Sequence, residues 1–262
     1  MSEQGTVYFV GAGPGAVDLI TVRGARLLRE ADLVVYAGSL VDRELVQTYA
    51  PQAQVFDSAG MALTEIITAM LDGVTAGKRV VRLHTGDPAI YGAIQEQMAA
   101  LDRLGISYAV VPGVTSAFAA AASLRQELTL PEVSQTVIIT RMEGRTPVPE
   151  REALRSLASH GATLALYLSV GLMDTVVAEL LAGGAYTPAT PVAVVSRASW
   201  HDEQIIEGSL ADIAAKVAAA GIAKQAMILV GEVLGVRRTG MQAVSKLYDE
   251  GFSHGCRDGL VA

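Results

Sequence analysis

Cysteine is almost absent from this 262-residue sequence: Cys256 stands alone, which excludes an intrachain disulfide framework and any cysteine-rich metal site. The four histidines, His84, His160, His201 and His254, are scattered and form no His-x3-His pair, so no protein-bound metal is expected. Basic residues are outnumbered, 20 against 27 acidic. The resulting net charge of −7 argues against a nucleic-acid partner, because phosphates demand a basic surface. Long apolar runs are also missing. Mean hydropathy is positive, yet a stretch such as residues 162–173 falls short of the roughly 18 residues that a spanning helix needs, and the longer uncharged run 104–124 is broken by Pro112-Gly113. The opening Met1-Ser-Glu-Gln-Gly5 has neither the basic start nor the apolar run of a secretory leader. No membrane partner and a cytoplasmic location are therefore expected. Disorder is excluded too, since 51% of residues are hydrophobic and only 18% charged. A chain of this length can bury a large core, as one large domain or two small ones.

Short β-branched runs alternate with helical patterns. Strands are predicted at 6–10, 33–36, 54–56, 79–83 and 107–111, with helices near 18–30, 42–49, 63–75 and 90–104 between them. Gly77 suits the position just past the third helix, where positive φ costs glycine little. Such alternation implies parallel pairing through right-handed crossovers. Pro112-Gly113 breaks the rhythm and leads into an alanine-rich helix at 114–124. Strands at 136–140, 163–168, 191–196 and 226–230 follow, with helices near 149–159, 172–182 and 210–219. A further run at 203–207 comes too soon after 191–196 for a crossover, so it is expected to pair antiparallel. The expected fold class is α/β, with an N-terminal lobe over 1–112, a mixed C-terminal lobe over 113–236 and a flexible tail over 237–262.

Gly11-Ala-Gly-Pro-Gly15 directly follows the first strand. Glycines there let a backbone approach a ligand closely and aim N–H groups at it. The spacing is G-x-G-x-G, and Pro14 removes one donor. A dinucleotide site also wants an acid about 20 residues on, but the second strand ends Tyr36-Ala37-Gly38. A nicotinamide oxidoreductase is disfavoured on that ground. The same glycines also serve a tight β-to-α turn that holds no ligand. In Arg82-Leu-His-Thr-Gly-Asp-Pro-Ala-Ile-Tyr-Gly92, Gly86 is placed in a turn, Asp87 at the N-cap and Pro88 at the first helical position, which capping alone explains. However, both loops and Pro112-Gly-Val-Thr-Ser116 lie at carboxyl ends of strands, where open α/β sheets bind ligands.

At these residues the chain resembles the tetrapyrrole (corrin/porphyrin) methylases. The matching pieces are Val10-Gly-Ala-Gly-Pro-Gly15 with Asp18-Leu-Ile-Thr21, Ala31-Asp32 before Val34-Val-Tyr36, Gly86-Asp-Pro88, Pro112-Gly-Val-Thr-Ser116 and Ala226-Met-Ile-Leu-Val-Gly231. They run in family order over about residues 5–235. Ser58-Ala-Gly-Met61, His84-Thr-Gly-Asp-Pro88 and Thr140-Arg-Met-Glu-Gly-Arg-Thr-Pro-Val-Pro-Glu150 are similar to the precorrin-4 C11-methyltransferase branch.

The resemblance implies two α/β lobes with the active site in the cleft between them, and S-adenosylmethionine as methyl donor, leaving S-adenosylhomocysteine. It places Pro14, Gly86, Asp87, Ile90, Tyr91, Thr115 and Ser116 around the donor, with Leu168, Ala198 and Ala226 added by shorter patterns. The acceptor would be a tetrapyrrole rich in carboxylates, metal-free or carrying cobalt, and the enzyme a homodimer. Bidentate arginines are the natural receptors for such groups. Arg141 and Arg145, flanking Glu143, are assigned that task, with Arg82, Arg125 and Arg197 as further candidates. A solvated ion pair with Glu143 is the plainer reading of the same residues. No residue identifies itself as a catalytic base. Met61, Met70, Met98 and Met227 read as core filler, His84 as a hydrogen-bonded strand-end residue, and Trp200 with His201 as a turn capping the second lobe.

Overall fold

The computed structural model describes residues 5–240 and 244–259. Its contacts divide the chain into two compact units, Met1–Ala119 with Arg197–Asp202, and Ala120–Ser196 with Glu203–Ala262.

In the first unit, β1 (Thr6–Gly11), α1 (Val22–Arg29), β2 (Leu33–Tyr36), α2 (Arg43–Tyr49), β3 (Gln54–Asp57), α3 (Leu63–Thr75), β4 (Val80–His84), α4 (Ile94–Arg103) and β5 (Ser107–Val111) alternate without exception; α5 (Ser116–Ser123) follows, and the division between the units falls within it, after Ala119. The five strands form one parallel sheet in the order β3-β2-β4-β1-β5. β2 and β4 are buried throughout, as strands covered on both faces must be. The period of two sorts their side chains. Val34, Tyr36, Val81 and Leu83 pack with Leu28 of α1 and Leu45 and Val46 of α2. Leu33, Val35 and Val80 pack on the other face with Ile66 and Met70 of α3 and Leu101 of α4. Met61 and Met98 pack against this second cluster, and Met227 is buried in the second unit, so all four methionines serve as filler.

Four helices start three or more residues later than expected: those predicted near 149–159 and 210–219 begin at Leu154, after a 3-10 turn at Glu150–Glu152, and at Ile213, and two others lie in the first unit. The 18–30 helix is a 3-10 turn at Val17–Leu19 followed by α1, which Thr21 caps by accepting from the Gly24 N–H at 3.1 Å. The 90–104 helix begins only at Ile94. Tyr91 and Ala93 have φ of 53° and 48°, which stops a right-handed helix from passing through them. Gly77 has φ of 71°, as expected for its place after α3.

The second unit contains β6 (Val137–Arg141), α6 (Leu154–Ala158), β7 (Thr163–Tyr167), α7 (Met173–Ala182), β8 (Pro191–Ser196), β9 (Gln204–Ser209), α8 (Ile213–Ala219), β10 (Ala226–Val230) and α9 (Val236–Thr239). Its sheet runs β6-β7-β10-β8-β9, with β6 and β7 parallel and the other neighbours antiparallel. The β8–β9 hairpin is the antiparallel pair that the short connection requires. Leu164, Leu166, Val192, Val194, Ile228 and Val230 bury one sheet face under Leu154, Val176, Leu180, Ile213 and Val217 of α6, α7 and α8. Arg237 of α9 donates to the Leu124 carbonyl at 3.1 Å, and beyond α9 Arg257 donates to the carbonyls of Leu247 and Asp249.

Candidate functional site

The register of the first sheet brings three loops to one edge, because Gly11 pairs with His84 and Val10 with Val111. Beyond the strands the loops are stitched by their own backbones. The Ala12 N–H donates to the His84 carbonyl at 2.7 Å, and Gly13 and Gly86 exchange two bonds at 2.8 and 3.2 Å. Asp87 completes the join. Its Oδ1 accepts from Ala89 N–H at 2.8 Å and its Oδ2 from Gly113 N–H at 2.9 Å. The expected N-cap role of Asp87 is thus corrected: its carboxylate ties the second loop to the third, 26 residues on, and Ala93 caps α4 without a side-chain bond.

The glycines follow from this crossing. A Cβ on Gly11 would lie 2.6 Å from Gly113 Cα and Gly86 O, and one on Gly113 only 2.0 Å from Gly86 O. Gly13 and Gly86 also need φ of 81° and 58°. Around the join stand buried Pro14, half-buried Ile90, Thr115 and Ser116, and Tyr91, which is 47% exposed. These seven residues named from the sequence therefore come together in the first unit. The edge offers small side chains and backbone polar groups, a surface suited to a ligand held by main-chain contacts.

Beneath the loops lies a buried polar pair. Arg82 and His84, each 5% exposed, occupy the β4 face toward α4. Arg82 donates from Nε to Gln97 Oε1 at 3.1 Å and from Nη1 to the Val35 carbonyl at 3.2 Å. Gln97 passes the contact on, donating from Nε2 to the Ala93 carbonyl at 3.0 Å. Burial lowers the Arg82 guanidinium to about 10. Burial, and secondarily the charge of Arg82, pushes His84 down to about 3, so the ring is neutral at pH 7. The expected hydrogen-bonded histidine is corrected in part: Nε2 is buried with no hydrogen-bond partner. The ring packs 6.0 Å from that of Phe9.

In the second unit, β6, β7 and β8 end at one edge and β10 begins there. Arg141 pairs with Tyr167, Leu166 with Ile228, and Ala226 with Ser196. Arg141, Leu168 and Ala226 consequently share that edge. Leu168 is 70% exposed with φ of 54°. Arg141 donates to the carbonyls of Met142, Thr146 and Pro147, bracing its own loop, whereas Glu143 and Arg145 are exposed. Arg125 is exposed as well, with φ of 51°.

Ala198 is buried and belongs to the first unit with its neighbours Arg197–Asp202. Trp200 is corrected accordingly. It belongs to the first unit and lies on the glycine loop, its Nε1–H donating to the Pro14 carbonyl at 2.8 Å. Sequence reasoning missed that Ser199 and Trp200 hold the glycine loop, and a lone tryptophan beside a strand end was the available signal. A second missed feature is backbone strain. Tyr91, Leu168, Arg197, Ser199 and Gln225 have positive φ, and each coincides with or adjoins Tyr91, Leu168, Ala198 or Ala226. Strain of this kind gathers at ligand sites.

Known proteins match this arrangement. A chain from Methanocaldococcus jannaschii named cobalt-precorrin-4 C(11)-methyltransferase is 55% identical over 254 residues, covering 97% of this chain and 96% of that one. A crystallised cobalt precorrin-4 methyltransferase, described as a cobalamin biosynthetic enzyme, superposes with a TM-score of 0.86 at 52% identity, over 88% of this chain and 96% of that one. The uroporphyrin-III C-methyltransferase of Thermus thermophilus, solved with S-adenosyl homocysteine, superposes with a TM-score of 0.73 at 31% identity, over 88% and 94%. The model of the tetrapyrrole (corrin/porphyrin) methylases matches residues 6–214, and with these loops and both sheets in place the chain belongs to that family.

Proposed function

We propose that this chain transfers a methyl group from S-adenosylmethionine to C11 of the precorrin-4 ring, forming the precorrin-5 skeleton and S-adenosylhomocysteine in cobalamin biosynthesis. One observation carries the donor half: the loops 11–15 and 86–91 are joined backbone to backbone, and the Asp87 carboxylate ties loop 113–116 to them, at the carboxyl edge of a parallel sheet. The donor supplies an activated methyl on its sulfonium. Pro14, Gly86, Asp87, Ile90, Tyr91, Thr115 and Ser116, with Leu168, Ala198 and Ala226, are read as the residues that hold it.

In-line transfer asks for positioning more than for covalent help, and a site tied by glycine crossings is rigid enough to supply it. A π electron pair of the ring forms the new bond from C11 to the methyl, the S–CH3 bond breaks with its electron pair staying on sulfur, and the proton that the alkylated ring must lose passes to solvent. His84 is not placed to take up a proton from the acceptor, since its ring is buried and held well below the usual histidine range. The acceptor's carboxylates are read as meeting Arg145, with Glu143 and Arg141 shaping the loop. Arg141 is spent on three carbonyls, which makes it the brace and Arg145 the receptor. Arg82 is committed inside the protein, and Arg197 is paired with Asp202 at the surface.

The names carried by the 55% and 52% identical relatives favour the cobalt-containing ring as substrate. The metal would arrive with the macrocycle. Among the described residues no group of three or more His, Cys, Asp or Glu is placed to hold an ion. No helix among them is long and apolar enough to cross a membrane. A cytoplasmic homodimer completes the reading, and sedimentation of the purified protein checks its oligomeric state.

The test uses S-adenosylmethionine labelled at the methyl carbon, incubated with the protein and the tetrapyrroles made by the preceding enzymes, with and without cobalt. Label at C11 by NMR is the expected result, appearing faster in the cobalt pool. Label at another carbon would overturn the regiochemistry, and no transfer would overturn the acceptor.

A further inference from the structure

Gly15 is required by an indole. A Cβ placed on it would lie 2.1 Å from Cδ1 and 2.2 Å from Nε1 of Trp200, so the five-membered edge of the ring lies directly on the glycine backbone. The same ring donates its Nε1–H to the Pro14 carbonyl at 2.8 Å. One residue further, the Ala16 N–H donates to Ser199 Oγ at 3.0 Å. The indole is itself held from behind. The guanidinium carbon of Arg197 stands 4.0 Å from the ring centroid, and its Nε donates to Asp202 Oδ1 at 2.7 Å. Arg197 and Ser199 take φ of 51° and 68° on either side of Ala198. Two successive left-right reversals of this kind are strained for residues with a Cβ, and they aim Ser199 and Trp200 at the same loop.

We propose that residues 197–202 form a positioning clamp for the methyl-donor loop, with Trp200 as its positioning residue. The inference rests on reading that loop as the donor site. The chemistry of the pair explains the choice of residues. The Pro14 carbonyl is an acceptor only and the indole N–H a donor only, so the two groups satisfy each other. Fixing the Pro14 carbonyl fixes the 14–15 peptide plane, and with it the direction of the backbone groups that face the ligand. The third glycine of G-x-G-x-G thus serves the clamp, not a phosphate. A clamp acts on donor affinity and leaves the chemical step alone, which separates it from a catalytic residue.

Trp200→Phe keeps the ring on Gly15 and Arg197 but deletes the N–H. Calorimetry should show S-adenosylhomocysteine affinity falling about tenfold, with KM for the donor rising in step, kcat at saturation within about twofold and the melting midpoint nearly unchanged. Gly15→Ala should weaken binding by a similar or larger factor, because its methyl meets the indole. In a Trp200→Ala background the same Gly15→Ala change should have no further effect, since the obstacle is gone. Equal affinity in wild type and Trp200→Phe, or additive losses from Gly15→Ala and Trp200→Ala, would overturn the clamp. Absence of binding in the wild-type control would instead overturn the donor reading beneath it.

Discussion

Gly11 and Gly113 touch through their backbones, with no room for a methyl group between them: a Cβ on Gly11 would lie 2.6 Å from Gly113 Cα and 2.7 Å from its nitrogen. The contact joins the end of β1 to the loop after β5, two adjacent parallel strands whose exits would otherwise be free to diverge.

Gly113→Ala should therefore be costly. Its methyl would stand 2.0 Å from the Gly86 carbonyl, a backbone atom that cannot rotate away. A loss of about 1–3 kcal/mol in urea unfolding is expected. Binding of S-adenosylhomocysteine should weaken as well, because the join with Gly86 and Asp87 must open. Full stability in the variant would show that the loops cross less tightly than described.

His84 sets an acid limit on stability. Its pKa falls from an ordinary 6.5 to about 3 on folding, so between those values the unfolded chain binds the extra proton. The contribution is complete above about pH 6.5 and is lost as pH falls toward 3. By pH 5 the loss amounts to about 2 kcal/mol. His84→Phe should flatten this part of the profile. Unfolding curves at pH 7 and pH 5 for both proteins check it, and parallel losses would rule the histidine out.

Gln97 connects Arg82 to the left-handed turn before α4. Gln97→Leu removes an acceptor from a buried guanidinium and a donor from the Ala93 carbonyl. Leaving such groups unpaired should cost about 2–3 kcal/mol, read as a lower urea midpoint at unchanged slope.

The two arginines of the 141–145 loop should behave differently. Arg145→Ala is expected to raise the tetrapyrrole KM about tenfold, the worth of one charge-assisted contact, with S-adenosylhomocysteine affinity unaltered. Arg141→Lys should also impair acceptor binding, since one ammonium cannot serve the carbonyls of Met142, Thr146 and Pro147 together. An unchanged KM in Arg145→Ala removes that residue from the acceptor site.

Much of the fold is legible in the sequence because its signals are local. α3 spans 63–75 as its periodicity predicts, and β2, β8 and β10 keep their expected limits, since buried apolar runs have few other places to go; β5, at the sheet edge, keeps its limits too. The start of α4 is not legible. Asp87-Pro88 carries a generic capping signal, and only the fold brings Gly113 to claim the carboxylate. Among the candidate site residues, the glycines mark the loop crossing from sequence alone. Trp200 does not, because its partner Pro14 is 186 positions away and the strained backbone that aims it belongs to residues other than glycine.

That separation has a consequence for synthesis. The five strands of the first sheet are complete once Val111 has been made. The glycine loop waits for Trp200, nearly 90 residues later, which is roughly 5–20 s of translation. A nascent or truncated chain ending before residue 197 holds every glycine of the 11–15 loop but lacks Ser199 and Trp200, which bond to it. The first unit is therefore discontinuous in time as well as in sequence, and its amino-terminal fragment matures only after most of the second unit has been made.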